Sequence, residues 1–309
     1  LEVVEGWARF ASPIPQPTLT TEAGEDFGRQ LHTSKPQYIS ASRRTDIPAF
    51  FAGDFFAAWR AGAVTYDGGY GRSYTVSLRP DAVLGYIFWS KDFAPFIADP
   101  NFRPLIQTNN AVFGFTINDC PELEPRVARL EERLATLGRL CDAVGPERVV
   151  WRFDPLCKFV DARGATTLNW RPFLEILPMV ARLGVKECYF SFMTAYNKLK
   201  SRGVKFLPFT IEEQTSIVAE MVGAAAAAGL TLANCCNPEV LDLNPAVRQA
   251  HCVSDDLLRR TDRFGVHPGL KEKPTRPGCG CFESRDIGSY AQKCPHGCHY
   301  CYANPATLD

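Results

Sequence analysis

The chain has 309 residues, 46% apolar and 22% charged, the balance of a soluble globular protein with length enough for one large core or two smaller ones. Thirty-four basic residues offset 34 acidic ones, so bulk charge argues against an extended nucleic-acid, membrane-surface or polyanionic partner. No apolar run approaches the ~18 residues of a membrane span, and the first residues, LEVVEGWARFASPIPQP, lack the basic start and apolar core of a secretory signal, which makes the cytoplasm the expected location.

Residues 1–36, rich in Pro, Thr and Gly without a sustained period, are expected to form an irregular extension. QYISAS (37–42) reads as a short apolar strand running into RRTDIPAF, and FFAGDFFAAWRAG (50–62) has the recurrence of a helix ended by glycine. VTYDGGYGRSYTVSL (64–78) reads as two extended pieces around a glycine-rich turn. AVLGYIFWS (82–90) and NAVFGFTIND (110–119) are the next strands, followed by a charged amphipathic helix over 124–145. RVVWRFDPL (148–156), a helix over 170–184, ECYFSFM (187–193), a helix over 211–229 and LTLANCC (230–236) complete the pattern.

Six apolar strands, most of them separated by helices, are βα-unit spacing and predict an α/β fold with a parallel sheet and helices outside it. Polar residues gather at the strand ends: Arg43, Arg44 and Asp46; Lys91 and Asp92; Thr116 and Asp119; Arg152 and Asp154; Tyr196; Cys235. That arrangement is expected of a barrel active site, so residues 37–236 are read as a partial (β/α)6 TIM-like barrel. A doubly wound open sheet is the alternative. Residues 237–309 lack an apolar period and are expected to lie across the barrel mouth.

Twelve cysteines divide into two kinds. Cys120, Cys141, Cys157 and Cys188 are scattered, as small buried hydrophobes are. Cys235, Cys236, Cys252, Cys279, Cys281, Cys294, Cys298 and Cys301 are concentrated, which points to metal or iron–sulfur chemistry. In CPHGCHYCYA (294–303), Cys294, Cys298 and Cys301 are spaced C-x3-C-x2-C and could hold three corners of a [4Fe–4S] cube, leaving the fourth iron open. Structural zinc, with His296 or His299 as a further ligand, and an unliganded loop are the other readings of this spacing.

This loop, with Tyr300 before its third cysteine, resembles the cluster loop of the radical S-adenosylmethionine (SAM) superfamily. ISASRRTDIPAF (39–50), FWSKDFAPF (88–96), VVWRFDPL (149–156) and CGCFESRDIGSYAQKCPHGCHYCYAN (279–304) together resemble the DUF1848 family, over about residues 37–304. TYDGGYGRS (65–73) departs from the family's pattern. The resemblance implies a [4Fe–4S] cluster on Cys294, Cys298 and Cys301, SAM on the open iron, Tyr300 near the adenine, and an electron donor such as flavodoxin or ferredoxin. It implies reductive cleavage of SAM and hydrogen abstraction from a small molecule or peptide, and names no substrate. The superfamily carries its cluster loop after the first strand. Here the C-terminal segment must bring it back to the strands' carboxyl ends.

Cys235, Cys252, Cys279 and Cys281, with Cys236 in reserve, suggest a second metal site, with a second [4Fe–4S] cluster slightly favoured over zinc. Arg152 and Asp154, i and i+2 on one strand face, are the leading catalytic pair, with Arg43, Arg44, Asp46 and Lys91 behind them. Ser284, Asp286 and Thr116 are candidate cofactor contacts, and Tyr196, Lys198 and Glu283 further polar candidates. Competing functions are a metal-stabilised scaffold without SAM chemistry, a photoproduct-lyase-type nucleic-acid repair enzyme, and a zinc hydrolase using His251 or His267.

Overall fold

The computed structural model describes residues 35–69, 71–194 and 197–303; the expectations for residues 1–34, Tyr196 and the Lys198 side chain fall outside them. The chain divides into two units, Leu1–Lys35 and Pro36–Asp309, and everything below concerns the second.

Eight strands make one sheet: β1 Gln37–Ala41, β2 Val83–Ser90, β3 Ala111–Thr116, β4 Val149–Leu156, β5 Glu187–Phe192, β6 Thr231–Asn234, β7 Arg248–Gln249 and β8 Arg285–Asp286. Every pairing is parallel, and the spatial order is β8-β1-β2-β3-β4-β5-β6-β7. From β1 to β7 chain order and spatial order coincide. A doubly wound sheet reverses its order at a switch point, and this one does not. The sheet is open, with β7 and β8 at its edges.

The crossovers between strands contain α1 Ile47–Phe50, α2 Ala52–Ala61, α3 Ala94–Ala98, α4 Phe102–Thr108, α5 Leu130–Val144, α6 Pro172–Arg182 and α7 Ile211–Ala227. They are followed by α8 Pro238–Leu243 and α9 Asp255–Arg260. The α7 start has a full capping box, Thr210 and Glu213 bonding each other's backbone N–H, which satisfies two donors that a helix end leaves open.

Alternation along the strands gives the sheet two dissimilar faces. Phe88, Phe113, Phe115, Trp151, Phe153 and Phe190 point to the side that carries Phe55, Phe56, Leu137, Phe173 and Met221 of the helices. Phe113 stacks on Phe88 at 5.5 Å and meets Phe93 edge-on at 5.6 Å. Each buried ring contributes roughly 2–3 kcal/mol of apolar burial. The opposite face, with Tyr38, Ile87, Val112, Val150, Tyr189 and Ala233, is covered by Ala250, Val253, Leu257, Leu258, Cys279 and Cys281. One sheet face therefore belongs to the helices and the other to the segment after β7.

Two local readings change. The helix expected from residue 124 starts at Leu130, because Pro125 disfavours helical backbone at Glu124. Lys158–Val160, Thr166–Leu168 and Lys205–Leu207 form a separate antiparallel sheet that short polar runs did not announce. No helix among the described residues is long and apolar enough to cross a membrane.

Candidate functional site

Several predicted residues meet at the carboxyl end of β1 and β2. Asp46 caps α1, accepting from the Ala49 N–H at 3.2 Å, and takes the Ser90 hydroxyl at 2.6 Å, both on Oδ1. Its Oδ2 takes the Lys91 N–H at 2.9 Å and lies 3.1 Å from His296 Nε2, inside the cysteine loop. Tyr302, just past Cys301, donates to the Arg43 carbonyl at 2.7 Å. The loop thus lies over the ends of the first two strands, touching the segment that holds Arg43, Asp46 and Lys91.

Beneath it lies a buried polar cluster centred on Glu124, whose side chain is 2% exposed. Glu124 Oε1 accepts from Lys91 Nζ at 2.8 Å, from Asn118 Nδ2 at 2.9 Å and from the Tyr300 hydroxyl. Arg133 Nη1 stands 3.9 Å from Oε2. Lys91 also lies 5.5 Å from the Tyr300 ring centre. Burial, the largest single influence, would raise the Glu124 pKa, but Lys91, the Tyr300 hydroxyl and Arg133 together hold the carboxyl below its ordinary range. Burial would likewise lower Lys91, and the Glu124 carboxylate reverses that. The Tyr300 phenol is pushed well up, by burial first and Glu124 second.

The cysteine loop is fixed from a third side. Arg202 Nη1 donates to the carbonyls of Cys298, His299 and Cys301 at 3.2, 3.0 and 2.6 Å. Gly297, at φ 64°, makes the left-handed turn that returns Cys298 toward Leu123, Cys157 and Phe159. Burial pushes the Cys294 thiol up to about 12, with Asp46 adding to it, and raises Cys298 against the opposing pull of Lys91. A bound cation reverses that preference, because thiolates are the ligating form.

Two of the three thiols are shifted toward the neutral form by burial, and in the same region Glu124 Oε2, Arg133 Nε and Nη1, and His296 Nδ1 are buried without a hydrogen-bond partner. A cavity of about 270 Å³ opens against Glu124 and Arg133, lined also by Asp119, Cys120 and Arg129. This donor set fits an iron–sulfur group with polar ligands next to it. Among the described residues no group of three or more His, Cys, Asp or Glu side chains is placed to hold a metal ion.

The remaining candidates fall elsewhere. Asp286 accepts from the Arg43 N–H at 2.7 Å and from the Ser40 and Ser42 hydroxyls at 3.2 and 3.1 Å, tying β8 to β1. Ser284 receives a bond from Arg43 Nη1 at 3.3 Å. The Arg43 guanidinium lies 5.2 Å over Trp89, while Arg44 donates to the Gly288 carbonyl at 2.7 Å. Arg152 and Asp154 do form the pair that their i, i+2 spacing suggested, at 2.6 Å. Asp154 also accepts from Ser191, and Arg152 Nη1 lies 3.1 Å from Cys252 Sγ. Burial opposes the Arg152 charge, yet Cys252 and Asp154 raise its pKa well above the ordinary value. Thr116 stands opposite Arg152 in the β3–β4 ladder. Cys252 and Cys235 lie beside Arg152, and Cys279 and Cys281 join them on the tail-covered face. Asn118 spans the two groups, bonding Glu124 with its amide and the Asp154 backbone with both side-chain atoms.

Residues 38–303 match the family model described as a domain of unknown function, DUF1848. The chain belongs to the DUF1848 family. No curated protein matches it. Among solved structures, this DUF1848 chain is similar to the crystal structure of Streptococcus suis SuiB bound to S-adenosylmethionine, with a TM-score of 0.33 and 8% identity. The alignment covers 68% of this chain and 43% of that one, so the DUF1848 chain spans less than half of SuiB's length.

Sequence reading missed Glu124, Asn118, Arg133 and Arg202 in this DUF1848 member. Glu124 was readable only as a helix start. Its flanking prolines in CPELEP, which break that helix, were the available signal. Of the zinc-hydrolase candidates, His267 bonds Tyr38 and Asp255 through its two ring nitrogens, at 2.9 and 2.8 Å, and His251 Nδ1 bonds the Gly280 carbonyl.

Proposed function

We propose that this protein is a radical SAM enzyme, with Cys294, Cys298 and Cys301 holding a [4Fe–4S] cluster at the carboxyl ends of a partial (β/α)6 barrel. The observation that carries the reading is the seating of the C-x3-C-x2-C loop against Asp46, Arg43 and the buried Glu124–Lys91–Tyr300 cluster. It is supported by the consecutive parallel strand order, which is that of a barrel segment. With cluster and SAM bound, the chemistry supplied is one-electron cleavage of SAM followed by hydrogen abstraction from a substrate. The electron comes from a donor of the flavodoxin or ferredoxin kind.

The protein's own part is positioning and shielding. Arg202 holds the loop by its carbonyls and sets a positive charge against the thiolates. Lys91, with Tyr300 and Arg133, keeps Glu124 ionised, and the buried Glu124–Arg133 pair, 3.9 Å apart, backs the wall of the cavity. Tyr300, bonded to Glu124, closes the floor beneath the loop.

Anaerobic reconstitution with iron and sulfide, followed by SAM and a strong reductant, tests this reading. About four irons and four sulfides per chain at this loop, lost in Cys298→Ala, and formation of 5′-deoxyadenosine are the expected results. A cluster shown spectroscopically to be reduced that leaves SAM intact overturns the proposal.

A further inference from the structure

Five cysteines outside the C-terminal loop meet under the tail-covered face of the sheet, and nothing above uses them. Cys235 and Cys236 follow β6, Cys252 follows β7, and Cys279 and Cys281 precede β8. Cys235 Sγ lies 3.6 Å from both Cys236 Sγ and Cys252 Sγ. Cys281 faces Cys252 and Cys279, and Cys279 faces Cys236, so the five sulfurs form a closed circuit.

The backbone is bent to make this meeting. Consecutive residues in a strand point to opposite faces. Cys236 instead takes φ 64°, a left-handed conformation rare for a residue with a Cβ, and its sulfur comes back beside that of Cys235. Between Cys279 and Cys281, Gly280 passes so close to His251 that a Cβ there would lie 2.7 Å from the ring. The Cys-Gly-Cys turn is pinned to His251 through the Gly280 carbonyl.

The surrounding charge matches a thiolate–metal centre. Arg152 Nη1 lies 3.1 Å from Cys252 Sγ, and Arg276 Nε lies 3.1 Å from Cys236 Sγ. Four thiolates around a divalent ion carry a net charge of about −2, and guanidinium groups against two of the sulfurs stabilise such a charge, Arg152 while also pairing with Asp154.

Spacing favours one kind of centre. Tetrahedral thiolates at about 2.3 Å from one ion stand roughly 3.8 Å apart, close to the 3.6 Å at which Cys235 Sγ stands from the Cys236 and Cys252 sulfurs. A [4Fe–4S] cube places its thiolates on four separate irons and spreads them much farther. We propose that this group holds a single tetrahedral zinc ion through four of the five thiolates, and that the ion fastens residues 248–282 across the sheet. A mononuclear site replaces the second cube that clustering alone had slightly favoured. The sulfurs reach coordination geometry by side-chain rotation, which their mutual contact makes a short movement.

The test is made in the full chain carrying Cys294→Ala, Cys298→Ala and Cys301→Ala, so that its outcome is independent of the SAM reading. Purified anaerobically from zinc-supplemented cells, this variant is expected to retain about one zinc per chain. Adding Cys279→Ser and Cys281→Ser is expected to lower zinc at least fivefold. Should the added substitutions prevent folding, titration of the parent variant with an organomercurial replaces them: zinc must leave in step with four thiols. Cobalt exchanged into the parent must give the visible bands of a tetrahedral tetrathiolate. Near-stoichiometric iron and sulfide in that variant, a disulfide between Cys235 and Cys252, or a folded protein free of metal with five titratable thiols here each overturns the proposal.

Discussion

Replacing Lys91 by Met removes the cation from Glu124 while keeping most of the side-chain volume. The two side chains are 12% and 2% exposed and 2.8 Å apart, so this is a buried pair rather than a surface one. At an effective dielectric of about 20 the gross attraction is about 6 kcal/mol, and breaking a buried pair typically costs about 3–5 kcal/mol because the partner is left charged and desolvated. Glu124 keeps Asn118, Tyr300 and, at 3.9 Å, Arg133. Those partners place the expected cost near the lower limit, about 3 kcal/mol. Urea unfolding of wild type, Lys91→Met, Glu124→Gln and the double variant, all at equal metal content, measures it. The double variant should cost less than the two singles summed, by about 2 kcal/mol, since it leaves no lone charge. A Lys91→Met cost below about 1 kcal/mol with an unchanged denaturant slope, the size of an exposed pair, would refute the reasoning.

Three further outcomes are expected. Phe113→Ala, at a ring stacked on Phe88 and 1% exposed, should cost about 3–5 kcal/mol, read as a lowered urea midpoint. Arg202→Ala removes three bonds to the cysteine-loop carbonyls and should lower the iron retained after reconstitution and desalting several-fold, with far-ultraviolet dichroism unchanged. In the segment after β7, burial opposes the charge of Asp255 and Asp262, but bonds from Leu270 N–H and His267 to Asp255, and from the His267 and Phe264 N–H to Asp262, hold both carboxyls below their ordinary 3.8. A carboxyl depressed in the folded state stabilises above its unfolded pKa, and that stabilisation is lost as pH falls through the folded value. Wild type should therefore lose more stability than Asp255→Asn between about pH 5 and pH 2 in urea titrations.

The longer strands were legible because aromatic and β-branched runs such as YIFWS and VVWRF, bounded by turn residues, favour buried extended chain. The Arg152–Asp154 pair followed from period two along a strand. β7 and β8 were not legible, because two residues carry no period. Arg202 was hidden for a different reason: it acts on backbone carbonyls nearly a hundred residues away, and a carbonyl leaves no mark in sequence. Glu124 was misplaced by its surroundings, being a charged residue beside an amphipathic run. The cysteine positions were readable, but the contact between the Cys235 and Cys236 sulfurs depends on the left-handed turn at Cys236.

The pairing of β8 with β1 carries a consequence for biogenesis. Ser40 and Asp286 are 246 residues apart, so during synthesis the outer edge of β1 stays bare while every other strand of the sheet emerges. A bare parallel edge is a template for joining another chain, and contacts this distant form late and slowly. A nascent chain paused before residue 285 should therefore be the most self-associating form of the protein. Any assembly factor that delivers a metal group to Cys294–Cys301 would meet its client only after that edge has closed.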